Sequence, residues 1–253
     1  NQNEDYMAAH YGVDPDAVDI IRRNIEALAG RNSENKRVRA WALATDTSDP
    51  DKYAEYIQWV DPDYFIDYLI AQTYFANGDM FNQKYWRSQD YTVRWRPVYY
   101  DLDLALSSSS PTRNILPNYF NAEGIPSRDG SLTNMDLYVG LRKNPDWCLA
   151  FGERYVYVVY NCFDPDRLTA ILDDMVNQLR PEMARHIQRW GAPSSMDKWE
   201  TEVAELRECL QARQSYALKY LQREFDFTDA QMAQWEQAAK AAASTAVSPT
   251  PAP

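Results

Sequence analysis

Four residues in the middle of the chain carry groups that could do chemistry in concert. Asp79 and Asn82 stand in the short stretch Asn77-Gly-Asp-Met-Phe-Asn82, and Asp101 and Asp103 follow some twenty residues later in Asp101-Leu-Asp103. An acid that orients an attacking hydroxyl, a nearby amide that helps hold a cation, and a later acid that grips Mg²⁺ is the order of parts that phosphoryl transfer to a hydroxyl needs. Two like charges two residues apart repel unless a cation or donors offset them, so a divalent metal is a natural companion for Asp101 and Asp103. A plainer reading stands beside this one. Asn-Gly favours tight turns, Asn82 can bond its own backbone, and an Asp-x-Asp can be a solvated loop.

The elements that must position these groups are a helix before them and a hairpin between them. Asp61-Pro-Asp63 caps an apolar helix over 64–75, which delivers the chain to the Asp79 turn at its C-terminal end. Lys84-Tyr-Trp-Arg87 and Val93–Tyr100 are rich in β-branched and aromatic residues with a turn at Ser88–Tyr91, which predicts a strand–turn–strand unit. Pro97 cannot donate to a ladder, so the second strand belongs at an edge or a bulge. If that strand runs on to Asp103, the period of two puts both carboxylates on one side.

The remaining sequence reads as helical. Asp14-Pro-Asp16 followed by Ile20, Ile21, Ile25 and Leu28 up to Gly30 predicts a capped amphipathic helix. Further helices are expected over 36–44, 53–59, 135–142, 147–163, 165–190, 199–225 and 228–242, with Pro181 kinking or dividing the longest but one. Val203, Leu206, Leu210, Tyr216 and Tyr220 form an apolar stripe. Ser107–Asn134, with four consecutive serines and Arg113 and Arg128, suits either an activation-segment-like loop or a mobile surface loop. The expected fold class is mainly α with a small β-hairpin. The expected domains are a helical lobe over 1–240 and a flexible Ala/Ser/Thr/Pro-rich linker over 241–253.

From Val60-Asp-Pro-Asp-Tyr-Phe-Ile-Asp-Tyr-Leu-Ile-Ala-Gln-Thr-Tyr-Phe-Ala-Asn-Gly-Asp79 through Lys84-Tyr-Trp-Arg87 to Trp95–Ala105, the chain resembles the CotH kinase family, spore-coat and cell-surface proteins with an atypical protein-kinase-like fold. The resemblance continues at Arg185–Gly191, Trp199 and Arg213–Phe225. It implies ATP and Mg²⁺ or Mn²⁺ as cofactors and a protein partner phosphorylated on Ser or Thr. It also implies an extracellular or cell-surface location. Carried onto these positions, it makes Asp79 the catalytic or metal-linked Asp and Asn82 its amide partner in cofactor and metal binding. Asp103, with Asp101 as the alternative, becomes the metal ligand. Here only Met80 and Phe81 separate Asp79 from Asn82, a shorter gap than kinase-like members usually have.

No Gly-x-Gly follows a strand, and Lys36 and Lys52, the lysines ahead of Asp79, fall in helical or loop-like sequence. The segment before Asp79 reads as helices without room for a nucleotide-covering small lobe. The chain therefore reads as the C-terminal lobe of such a kinase, inactive alone, with further domains on both sides. A net charge of −11 opposes nucleic acid and anionic membrane surfaces and favours a basic, Ser-rich protein partner. No stretch is apolar enough to span a membrane. Three widely spaced cysteines and two histidines outline neither a disulfide framework nor a zinc site, and Cys148 and Cys162 read as small core residues. Two other functions stay open: a non-catalytic surface or coat-assembly module on the same fold, and an Asp-x-Asp phosphatase, which needs its motif on a central parallel strand.

Overall fold

A computed structural model describes residues 2–23, 26–106, 110–126 and 132–246. These fall into two compact units. One is bounded by Asn1–Thr73, Asn77–Ala105 and Ile115–Arg154, the other by Tyr74–Ala76, Leu106–Asn114 and Tyr155–Pro253.

The first unit begins with helix α1 (Glu4–Tyr11), capped by Asn3. Where a helix was expected over Asp14–Gly30, the chain makes a single 3₁₀ turn at Pro15–Ala17 and then strands β1 (Val18–Arg22) and β2 (Glu26–Ala29). Three β-branched residues, Val18, Ile20 and Ile21, are stiff at χ1 and pack well on a pleated surface. Asp14 caps only the 3₁₀ turn, through Asp16 N. The spacing of Ile20, Ile21 and Leu28 suits a helix or a hairpin alike, and Leu28 is 44% exposed, outside any stripe. Ile25 lies outside the described residues. Gly30 ends the hairpin rather than a helix: its φ is +63°, and a Cβ there would meet Asp19 Oδ1 at 2.2 Å.

Helices α2 (Ser33–Ala44), α3 (Pro50–Tyr56, capped by Asp49) and α4 (Pro62–Tyr74) follow. Strand β3 (Lys84–Ser88) and the two-residue β4 (Arg96–Pro97) complete an antiparallel sheet of order β2-β1-β3-β4. Pro97 sits on the edge strand, where its missing N–H costs no ladder bond. One face of the sheet packs Val18, Ile20, Trp86 and Val98 with Met7 of α1. On β1 and β3, Asp19 faces Arg87, and this buried pair closes at 2.8 Å. Beyond a 3₁₀ turn at Leu116–Phe120, β5 (Ile125–Pro126) pairs with β6 (Leu132–Thr133), and α5 (Asp136–Arg142) and the first part of α6 (Pro145–Asn161) follow. Of the expected loop over 107–134, Ser107–Ser109 and Ser127–Ser131, with Arg128, lie outside the described residues.

In the second unit, α7 (Pro165–Trp190) runs unbroken through Pro181, so the expected division does not occur. It packs along α8 (Met196–Phe225), with the ion pairs Asp173–Arg207 and Arg180–Glu200 joining them. Gly191, at φ +68°, ends α7, and Ser195 caps α8. The buried line on α8 is Cys209, Leu210, Arg213, Ala217, Leu221 and Phe225. Of the expected stripe, Val203, Leu206, Tyr216 and Tyr220 are half-buried. Cys162 is exposed, against its expected core position. Helix α9 (Asp229–Ala246) reaches into the stretch read as linker, because Ala-rich sequence propagates a helix well; 247–253 lie outside the described residues. Among the described residues the fold is mainly α with a small antiparallel sheet. No helix there is long and apolar enough to cross a membrane.

Candidate functional site

Helix α4 is buried along Phe65, Ile66, Leu69 and Ile70, which anchors the loop that follows it. That loop is held by Asn77, a residue the sequence marked only as half of an Asn-Gly turn. Asn77 is 3% exposed. Its Oδ1 accepts from Asp79 N at 3.1 Å, and its Nδ2 donates to Gln72 Oε1 at 2.8 Å and towards Asp101 O at 3.5 Å. Gly78 N donates to Leu104 O at 2.9 Å, and Asn82 N to Asp79 O at 2.9 Å. Buried Gln83 closes the turn by donating to Met80 O at 2.6 Å. One side chain thus fixes the Asp79 turn to the helix before it and to the backbone of Asp101 after the hairpin.

Asn82 and Asp101 meet directly, Asn82 Nδ2 donating to Asp101 Oδ2. The Tyr100 hydroxyl donates to Asn82 Oδ1 at 2.8 Å. Lys84 Nζ lies 4.4 Å from the Tyr100 ring centroid and donates to Gln2 Oε1 at 3.0 Å. Tyr100 and Lys84 were not singled out from the sequence; only their place in strand-like stretches was legible.

The carboxylates do not continue a strand. Strand β4 ends at Pro97, Asp101 has φ +58°, and Ala105 N bonds Leu102 O at 3.0 Å in a turn. A left-handed residue followed by a turn breaks the period of two, so the expected common side does not arise that way. Asp101 is exposed and bonded to Asn82. Asp103 is exposed and makes no hydrogen bond or ion pair with the described residues. Asp79 is half-buried in the turn. An Asp-x-Asp off the sheet, beside antiparallel strands, also removes the setting that a strand-end phosphatase nucleophile requires.

The electrostatics around Tyr100 are mixed. Burial pushes its phenol well above the usual range; Asp101 and Asp79 push the same way, against Arg22 and Arg23. Burial and Arg22 hold the Lys84 ammonium below its ordinary value, with Asp101 opposing.

Among the described residues no group of three or more His, Cys, Asp or Glu is placed to hold a metal ion. A phosphate-bridging Mg²⁺ needs less: one or two carboxylates, with its other positions left to water and phosphate. Asp101 keeps Oδ1 free of hydrogen bonds beside the amide oxygen of Asn82, an all-oxygen donor set that fits a hard cation sparsely.

Fold and loop define a mainly helical protein whose buried helix runs into an Asp- and Asn-bearing turn beside a small antiparallel sheet. The model of the CotH kinase protein family matches residues 22–217, most of the chain, and the chain belongs to that family. It is a kinase-like protein. Among curated proteins none matches it.

Proposed function

We propose that this chain carries the phosphoryl-transfer centre of a CotH-type protein kinase, acting on a Ser or Thr hydroxyl of a basic protein partner at the cell surface or outside the cell. The observation that carries the reading is the bond between Asn82 and Asp101. It joins the turn bearing Asp79 to the segment after the hairpin, which is the pairing of parts that phosphoryl transfer requires. Asp101 and Asn82 would hold Mg²⁺ or Mn²⁺, which supplies charge neutralisation at the ATP phosphates; Asp103 stands two residues on as a further oxygen donor. Asp79 orients the hydroxyl and accepts its proton as the hydroxyl oxygen bonds the γ-phosphorus and ADP departs with the bridging oxygen. Asn77 keeps Asp79 in place throughout.

The test is transfer of label from γ-labelled ATP to the protein or to a basic, Ser-rich acceptor, with Mg²⁺ or Mn²⁺. It compares the wild type with Asp79→Ala and Asp101→Asn, both for this chain and for a parent with any preceding lobe. Label lost in both variants supports the reading. Folded protein that transfers nothing in either context overturns it.

One observation favours a second reading, a non-catalytic surface or coat-assembly module. Both polar ends of Asn82 are engaged internally, by Tyr100 and Asp101, and only Met80 and Phe81 separate it from Asp79. Such a network is what a retired site keeps when it serves only to hold a loop.

A further inference from the structure

Strands β1 and β3 pair opposite charges at one point and like charges at another. Asp19 stands opposite Arg87, and the two close a buried ion pair. Three residues along, Arg22 stands opposite Lys84. Directly opposed side chains of an antiparallel pair share one face with Cβ atoms about 4.5–5.5 Å apart, and like charges there work against pairing.

Neither cation closes a short ion pair, although the charge of Asp101 acts on Lys84 from nearby. Lys84 meets neutral Gln2 and the Tyr100 ring, and forms no ion pair with a carboxylate among the described residues. Arg22 reaches Glu26 only at 4.0 Å, with both side chains in solvent at 39% and 61% exposure. The pair is also tied to the site: Lys84 covers Tyr100, Tyr100 bonds Asn82, and Asn82 bonds Asp101.

We propose that Arg22 and Lys84 form an anion clamp that takes the polyphosphate of a nucleotide beside the Asn82–Asp101 pair. The inference rests on the function proposed above. An anion between the two side chains removes the reason for the like-charge pairing to be unfavourable. Arg22 brings a planar fork that matches two phosphate oxygens, and Lys84 a compact point charge. Arg22 comes from a stretch that the sequence reads as helix, and Lys84 from one that it reads as strand, so only the pairing of β1 with β3 brings them together.

The experiment measures binding of inorganic tripolyphosphate and of ATP, with and without Mn²⁺, by calorimetry. The proteins are wild type, Arg22→Gln, Lys84→Gln, the double variant, and Arg185→Gln on α7 as a control. We expect tripolyphosphate to bind wild type without metal, and each single variant to weaken it about tenfold. The double variant should lose nearly all binding and the control none. Without phosphate, the single variants should melt no lower than wild type, since each removes one member of a repelling pair; a residue needed only for the fold would lower the melting temperature. Wild type that binds neither anion nor ATP brings down the proposed function itself. Wild type that binds, with both single variants binding equally well, overturns the clamp and leaves the function standing.

Discussion

Asn82 donates its side-chain amide to the carboxylate of Asp101, nineteen residues further along the chain, across the whole β3–β4 hairpin. We propose Asp101, bonded to Asn82, as the principal metal ligand ahead of Asp103, which the resemblance put first. Titrating Mn²⁺ into Asp101→Asn should show a larger loss of affinity than into Asp103→Asn. Asn82→Ala should weaken Mn²⁺ about 10–100-fold, as loss of an orienting partner does. An Asp103→Asn variant that loses as much as Asp101→Asn would show that the bond to Asn82 does not mark the ligand.

Asn77 holds three segments at once and is nearly inaccessible. Asn77→Ala leaves the Asp79 N–H and the Gln72 side chain without those partners, at a cost of about 1–3 kcal/mol. Urea unfolding should show a lower midpoint with an unchanged slope, and labelled transfer should fall as the Asp79 turn loosens. A variant as stable and active as wild type would remove Asn77 from its positioning role.

Arg213 is 1% exposed and donates to three backbone carbonyls, of Tyr74, Pro111 and Arg113, the last two at 2.6 and 2.7 Å. Burial holds its guanidinium below the ordinary value, against nearby tyrosines and Cys209. Arg213→Leu fills the space but strands those carbonyls, and should destabilise by about 3 kcal/mol or more. Arg213→Lys, with one ammonium for three acceptors set around a fork, should recover only part of that in calorimetry.

Glu34 sits in a charge-assisted cluster, accepting from Arg37 Nε at 3.0 Å and from the Tyr91 hydroxyl at 2.5 Å. The Arg37 hydrogen bonds draw its pKa from 4.5 down to about 2, with burial opposing and Tyr91 helping. A depressed carboxyl contributes stability fully above its unfolded value and loses it as pH falls through the folded one. Between pH 4.5 and 2, wild type should therefore lose this contribution, and Glu34→Gln should show a shallower decline in melting temperature. Equal slopes for the two proteins over that window would show that the cluster does not bear on acid stability.

The residues of the candidate site were named before any folding, but not their contacts. Side-chain type and spacing marked Asp79, Asn82, Asp101 and Asp103, and the resemblance gave them an order. Aromatic and β-branched runs announced β3 and β4, and Pro97 its edge, because those signals act within a few residues. Strands β1 and β2 were not legible. Ile20, Ile21 and Leu28 fit either period, and only pairing of β1 with β3, more than sixty residues away, decides between them. The same long-range pairing brings Arg22 opposite Lys84 and Asp19 opposite Arg87.

By itself, then, the sequence determined which groups could react, the helices from α2 onward, and the hairpin between the two acidic segments. These depend on local propensity, capping and turn chemistry. Tertiary structure alone decided that Asp101 leaves the strand in a left-handed conformation to meet Asn82. It likewise decided that Asn77 ties the Asp79 turn to α4 and that two cations from distant strands share one face. Those relations join residues far apart in the chain, and only the buried sheet and helix bring them within hydrogen-bonding reach.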